Sequence, residues 1–333
     1  MRRLLGAAFG GIAALRAEAY RRGLLRRQRL AGPVVSVGNL GVGGSGETPV
    51  VARVAELLME AGEPVSILSR GYGGSFAGDA LVVSDGTSVL ASSAVAGDEP
   101  VMLALALPGA VVAIGPRRDV VGRAVEARFG RRVHVLDDGF QHLRLERDLD
   151  LVCLDVRDLE DRPLPAGRLR ESPPALARAD AILLTRLEAA SEDELRALEA
   201  RLGPARTFRV ERRAVGWRTL GGHAAEAPGT AFLLAGIARP ERFEHDVASA
   251  GVAVAGRAFF RDHHRFRADE LRSVEKQARA AGATALVTTA KDAARLDYLP
   301  PLEMPVVVLH VGARVLDEAR LRERLLSAVR KAA

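Results

Sequence analysis

Four glycines, Gly41, Gly43, Gly44 and Gly46, lie just ahead of Thr48. With Val42, Ser45 and Glu47 between them they fit the phosphate-loop template G-x-x-x-x-G-K-[ST] at every defined position except the lysine, where Glu47 stands. Glycines at this spacing let the backbone curl with several N–H groups pointing inwards. A helix starting behind them adds the positive end of its dipole, so the loop suits a chain of phosphates. Thr48 would offer its hydroxyl to Mg2+. The same residues also serve as a tight strand-to-helix connection, and the rest of the chain has to decide between the two.

Carboxylates and imidazoles supply the other candidates. Asp137 and Asp138 follow an apolar run ending at Leu136, an arrangement in which a carboxylate orders Mg2+ or its water shell. Asp155, at the end of the next apolar run, competes for that role, and paired aspartates also act as helix caps or solvated turns. Asp98 and Glu99 stand in Ala96-Gly97-Asp98-Glu99-Pro100, ahead of the apolar segment Val101 to Leu107; proline in a first turn makes an N-cap reading of Asp98 available. His263 and His264 are adjacent, and adjacent side chains diverge in helix and strand alike. No Cys or further His is spaced to complete a zinc site, so zinc is not expected. Cys153, the single cysteine, excludes an internal disulfide framework, fits a reducing compartment and reads as a small buried hydrophobe.

The elements that must position these residues alternate. Candidate strands at 34–38, 64–68, 110–114, 132–136, 150–155 and 181–185 are separated by helical segments such as 49–61 and 119–129. Such alternation predicts a parallel sheet covered on both faces, with ligands at the carboxyl ends of its strands. Three polar clusters fall at those ends: Ser69-Arg70-Gly71-Tyr72-Gly73-Gly74, Gly115-Pro116-Arg117-Arg118-Asp119 and Asp137-Asp138-Gly139-Phe140-Gln141-His142. Beside a phosphate loop they read as one site. After helix 191–202 and a charged, turn-rich stretch, α/β alternation restarts: strand 231–235, helix 240–250, strand 252–256, helix 268–281, strands 285–288 and 305–310, and helix 316–330. The expected organisation is a helix at 1–30, a P-loop domain at 31–205, a linker at 206–228 and a smaller α/β domain at 229–333. The fold class is therefore α/β, a P-loop NTPase-like parallel sheet joined to a second α/β unit.

The composition is that of a soluble globular protein, with 48% hydrophobic and 27% charged residues among 333. The net charge of +6 is carried almost wholly by arginine, and with aromatics at 4% no basic run is interleaved with stacking residues, so nucleic acid is not the expected partner. Residues 1–30 join a short apolar stretch, Leu4 to Leu15, to a dense set of arginines. That stretch is shorter than the ~20 residues a membrane-spanning helix needs. It imitates a signal peptide, but export would part a phosphate loop from its nucleotide. The segment reads either as a basic helix lying on an anionic membrane surface or as an amphipathic helix packed on the domain.

Taken in order, VGNLGVGGSGETP, SRGYGG, AGDEP, GPRRD, LDDGFQH, LPAGRLRE, GIARPERF, FFRDHHRF and TTAKDAARL, behind a basic N-terminal helix, resemble the tetraacyldisaccharide 4'-kinase family. The resemblance covers most of the chain. It implies a kinase using ATP and Mg2+ to phosphorylate the 4'-hydroxyl of an acylated glucosamine disaccharide lipid, the lipid A precursor. It also implies work at the cytoplasmic face of the bacterial inner membrane, with a monomer expected, and a site in the cleft between the two α/β units. By the same resemblance Asp98 matches the proton-accepting base and His263 the histidine supporting it. Thr48, Glu99 and Asp137 would hold Mg2+, with Asp138 beside them. Arg118 would face the transferring phosphate, and Arg170 with Glu171 matches the site segment after LPAG. Tyr72 and His142 would line the site. Glu47 departs from the family pattern and bears on rate: the alternatives are a slowed kinase or a membrane-associated binding protein that has lost catalysis. No guanine-reading N/T-K-x-D motif favours a GTPase.

Overall fold

The computed structural model describes residues 1–42, 46–262, 264–296 and 302–332. Gly43, Gly44, Ser45 and His263 therefore lie outside the described residues. The apolar run at Val34 is strand β1 (Val34–Asn39), buried along its whole length. It runs between β5 (Val133–Leu136) and β6 (Leu149–Asp155), parallel to both. Strands that read as nearly unbroken Val, Leu and Ile are those covered on both faces, which is why this sheet is parallel at its centre. β2 (Val65–Ser69), β4 (Val111–Ile114) and β7 (Ala181–Thr185) extend it in parallel, and β3 (Leu81–Asp85) closes one edge antiparallel to β4.

One face is covered by α2 (Glu47–Glu60), α3 (Ser93–Ala96) and α4 (Asp98–Ala106), the other by α5 (Arg118–Phe129). Valine is a mediocre helix former, so α2 is held by packing. Val50, Val51, Val54, Leu57 and Leu58 are each at most 1% exposed, and burying a side chain of this size is worth ~1.5–3 kcal/mol. After α6 (Glu192–Leu202), the stretch expected as a linker contains a 13-residue strand, β8 (Thr207–Thr219), with the short β9 (Ala224–Ala225) beside it. Thr207 to Arg209 sit opposite β7, and Val210 to Thr219 run antiparallel to β13 (Val306–Val315). The sheet is thus continuous from one half of the chain to the other. Arg209, Glu211, Arg212 and Arg213 hid this strand, because its middle is solvated rather than apolar.

The later half adds β10 (Thr230–Ala235), β11 (Ala253–Phe259) and β12 (Ala285–Thr289), parallel to one another, with α7 (Pro240–Ser249), α8 (Ala268–Ala280) and α9 (Ala290–Leu296). The last helix, α10 (Glu318–Lys331), returns to α2, where Leu321, Leu325 and Val329 join the first half's core and Glu318 pairs with Arg53 at 2.7 Å. At the other terminus α1 (Arg2–Arg21) ends well short of residue 30. Gly6 and Gly10 are its two buried residues. A Cβ on Gly6 would come within 2.8 Å of the Pro163 carbonyl oxygen. That close approach seats the helix on the 163–172 segment.

Candidate active site

The start of the glycine loop is pinned from the side. Gly41 bridges Leu169, the Val42 N–H donates to the Arg168 carbonyl at 2.8 Å, and the Arg170 N–H donates to the Leu40 carbonyl at 2.6 Å. Past the undescribed residues Gly46 caps α2 in the left-handed region, φ +79°, a conformation that favours glycine. Glu47 and Thr48 then form the first turn, where unpaired backbone N–H groups gather.

Glu47 turns inwards. Its Oε2 accepts from Asn39 Nδ2 at 2.5 Å, while Oε1 is buried without a partner. Burial, followed by the charges of Asp138 and Asp137, pushes its carboxyl well above the usual carboxylate range, against the opposing pull of Arg170.

The two aspartates after β5 diverge. Asp137, 5% exposed, accepts from Ser69 Oγ at 2.7 Å. Burial first and the neighbouring Glu99 second push its pKa up to about 6. Asp138 adopts φ +53° and receives Arg170 Nη1 on both oxygens, at 2.6 and 2.7 Å. Asp155, the competitor at the next strand end, is engaged by Arg186 Nη1 at 2.7 Å. Arg118 begins α5 and is 4% exposed, with Nη2 3.4 Å from the Asp137 carbonyl oxygen and Nε buried without a partner. Asp137, Asp138 and Glu47 all act on it electrostatically, and burial lowers its pKa.

Asp98 is not the cap of α4. Gly97 occupies that position, Asp98 is the first helical residue, and its Oδ2 accepts from Arg295 Nε of α9 at 2.8 Å. The loops around it are packed without slack: a Cβ on Gly97 would lie 2.4 Å from the Tyr72 carbonyl oxygen, and one on Gly74 2.3 Å from that of Val95. Tyr72 itself is 82% exposed. Glu171 is buried and accepts from Arg178 Nη2 at 2.6 Å, so its carboxylate is already paired. The His142 imidazole is pushed down to about 4, chiefly by burial. His264, the neighbour of the undescribed His263, pairs with Glu270 at 3.0 Å and stacks on Phe260.

The structure thus brings Glu47, Asp137, Asp138, Arg118 and Arg170 to one carboxyl edge of the sheet, with Glu99 close enough to perturb Asp137. Asn39, Ser69 and Arg295 each lie in a segment that the sequence singles out, VGNLGVGGSGETP, SRGYGG and TTAKDAARL, but sequence alone assigns none of them a partner in the site. Asn39 and Ser69 each stand at a strand's carboxyl end; that Arg295 would reach Asp98 depends on tertiary contact alone. Among the described residues no three His, Cys, Asp or Glu side chains are grouped as ready metal ligands. A groove of about 310 Å³ opens beside the edge, lined by Phe9, Ala13 and Arg16 of α1 and by Val42, Gln141 and Arg170.

The family model described as tetraacyldisaccharide-1-P 4'-kinase matches residues 2–330. The tetraacyldisaccharide 4'-kinase of Anaeromyxobacter dehalogenans (strain 2CP-C) is 44% identical over 339 residues, covering 97% of this chain and 89% of the relative. That of Desulfotalea psychrophila is 40% identical over 307 residues, covering 88% and 86%. Among solved structures, the "apo" form of LpxK from Aquifex aeolicus in complex with ATP is similar, with TM-score 0.81, 29% identity and coverage of 98% of this chain and 97% of that one.

Proposed function

The chain belongs to the tetraacyldisaccharide-1-P 4'-kinase family, and from that membership we propose that it transfers the γ-phosphate of ATP to the 4'-hydroxyl of an acylated glucosamine disaccharide 1-phosphate. The observation carrying this reading is that the two described ends of the phosphate loop, Asp137–Asp138, Arg118 and the Arg170 segment, scattered over 130 positions of sequence, lie at one sheet edge.

Phosphoryl transfer asks a protein for positioning and charge control rather than covalent chemistry. In our reading Gly41 to Thr48 cradle the phosphates and Arg118 faces the group in transfer. Asp138, held by Arg170, fixes the edge beside them, and Glu171 holds its segment through Arg178. Thr48, Glu99 and Asp137 offer only hard oxygen donors. Glu99 adds to the cost of ionising the buried Asp137, a cost a nearby cation would relieve. That set fits Mg2+, which keeps several waters and takes few protein ligands alongside phosphate oxygens. Bound there, Mg2+ would neutralise charge on the β- and γ-phosphates. Asp98 accepts the proton of the attacking hydroxyl, supported by His263 from the later half, so that 31–205 and 229–333 work as two lobes on either side of the reaction. With γ-labelled ATP and the tetraacyldisaccharide 1-phosphate, label should enter the lipid only when Mg2+ is present. Label released only as inorganic phosphate would overturn the assignment.

We place the reaction at the cytoplasmic face of the inner membrane. With Gly6 and Gly10 turned to the protein, α1 presents Leu4, Ile12 and Leu15 to solvent at 67–77% exposure, flanked by Arg2, Arg3 and Arg16. No helix among the described residues is long and apolar enough to cross a membrane. An apolar stripe with flanking arginines fits the interface instead, at ~1 kcal/mol per basic residue near anionic lipid. Removing residues 1–30 should release the protein from anionic vesicles, and salt should weaken binding of the full chain. Equal sedimentation of both proteins at low and high salt would contradict this.

Glu47 predicts a pH dependence. Its carboxyl, raised above the usual carboxylate range, gains charge as pH rises and loses it as pH falls, so its repulsion of ATP grows with pH. Comparison with Glu47→Gln cancels the titration of ATP itself. The Gln variant should bind ATP more tightly at high pH, and the difference should close on acidification. A gap independent of pH would mean that Glu47 does not face the nucleotide.

A further inference from the structure

Arg295 is the least expected member of the site. It belongs to α9, 197 positions from Asp98, and is 3% exposed. Its Nε donates to Asp98 Oδ2 at 2.8 Å. Its Nη1 meets Asp292 Oδ1 at 3.1 Å, the Gly236 carbonyl oxygen at 3.1 Å and the His264 carbonyl oxygen at 3.3 Å. Asp292 is fully buried and is itself fixed, accepting from the Gly236 N–H at 3.1 Å and Thr289 Oγ1 at 2.8 Å. One side of the guanidinium is therefore locked into the later half, and the Nε edge is left pointing at Asp98.

We propose that Arg295 is a positioning residue for phosphoryl transfer: anchored by Asp292, it sets the direction of the Asp98 carboxylate from across the two halves. The inference rests on the reading of Asp98 as the base. A guanidinium suits this task because its planar fork fixes angles as well as distance, which an ammonium on a flexible stem does not. The contacts to Gly236 and His264 tie the direction of Asp98 to the loops of the later half, including the neighbour of His263. Asp98 is thereby aimed only when the two halves are seated against each other.

A buried ion pair that merely fastens the halves together would give the same contacts, so the test needs a readout that fastening does not move. Full-length protein carrying Arg295→Met is compared with the unaltered chain for kcat, KM for ATP and thermal midpoint, using label transfer from ATP to the tetraacyldisaccharide 1-phosphate. The expected result is a kcat lowered ~10–10²-fold, KM for ATP within about twofold, and partial recovery of kcat in Arg295→Lys. In an Asp98→Ala background Arg295→Met should cost nothing further, since residues acting through one group are not additive. Full kcat in Arg295→Met, equal losses in kcat and ATP affinity, or losses that multiply with Asp98→Ala would overturn the proposal. Should Arg295→Met fail to fold, Arg295→Lys decides: a reduced kcat at an unchanged thermal midpoint supports positioning, and an unchanged kcat overturns it. Full activity of Asp98→Ala sinks the base assignment itself. An inactive Asp98→Ala beside fully active Arg295 variants sinks only the role of Arg295.

Discussion

Asp98→Ala should lower turnover by ~10²–10⁴ while leaving the affinity for Mg-ATP nearly unchanged, because a base contributes in the transition state and not to nucleotide binding. The geometry sharpens this expectation. Asp98 is the first residue of its helix, not the cap, so its loss removes no N-cap hydrogen bond and α4 should survive. Part of what is lost locally is the ion pair with the buried Arg295, whose guanidinium keeps Asp292 as a partner. Some stability should go with it, since the pair is largely desolvated. Thermal denaturation separates that cost from catalysis. Turnover of Asp98→Ala equal to the unaltered chain, measured on folded protein with the lipid acceptor, would remove Asp98 from the mechanism. His263→Ala should do less.

Glu47→Lys should raise phosphate transfer by at least ~10², about 3 kcal/mol. A lysine here would set positive charge against the β- and γ-phosphates, and Glu47 sets a carboxyl there, turned inwards beside Asp137 and Asp138. At ~4 Å and an effective dielectric near 20 each unit pair is worth ~4 kcal/mol, so full reversal would cost more than the predicted gain. The discount has a structural source: burial, and after it the charges of Asp138 and Asp137, raise the Glu47 pKa and lessen its charge, and Arg118 and Arg170 already bring positive charge to the same edge. Glu47→Gln should fall between the two. If Glu47→Lys is neutral or harmful and the unaltered chain is fast, these arginines carry the lysine's duty, and alanine at Arg118 or Arg170 should then abolish transfer.

The strands around the site were legible because each is a short, mostly apolar run, interrupted only by a buried polar residue such as Ser36, Ser66 or His134, and β1, β2, β5 and β7 fall within a residue or so of their expected bounds. β8 was not, since a strand that bridges two halves with a solvated middle carries Arg212 and Arg213 where a core strand carries Val. β3 escaped although it is as long as β2 and β7, because at an antiparallel edge it is only partly buried and ends in the polar Ser84 and Asp85. For α1 the residues left membrane contact and packing on the domain open. Gly6 and Gly10 pack against 163–172 and the leucines face outwards, so the helix packs on the domain and offers an apolar face at once. The polar clusters after β2, β4 and β5 were readable as a site because the carboxyl ends of parallel strands must converge. Which side chain holds which was not readable: Asp138 with Arg170, Glu171 with Arg178 and Asp98 with Arg295 are pairings that only tertiary contact creates.

The most direct test of the kinase assignment is the position of the new phosphate. The acceptor, carrying only its 1-phosphate, is incubated with Mg-ATP and either the unaltered chain or Glu47→Lys, and the recovered lipid is examined by mass spectrometry and phosphorus NMR. The predicted product gains one phosphate, esterified at the 4'-hydroxyl, slowly with the unaltered chain and faster with Glu47→Lys. Recovery of unmodified lipid from both proteins, with Mg-ATP bound and acceptor in excess, would contradict the account.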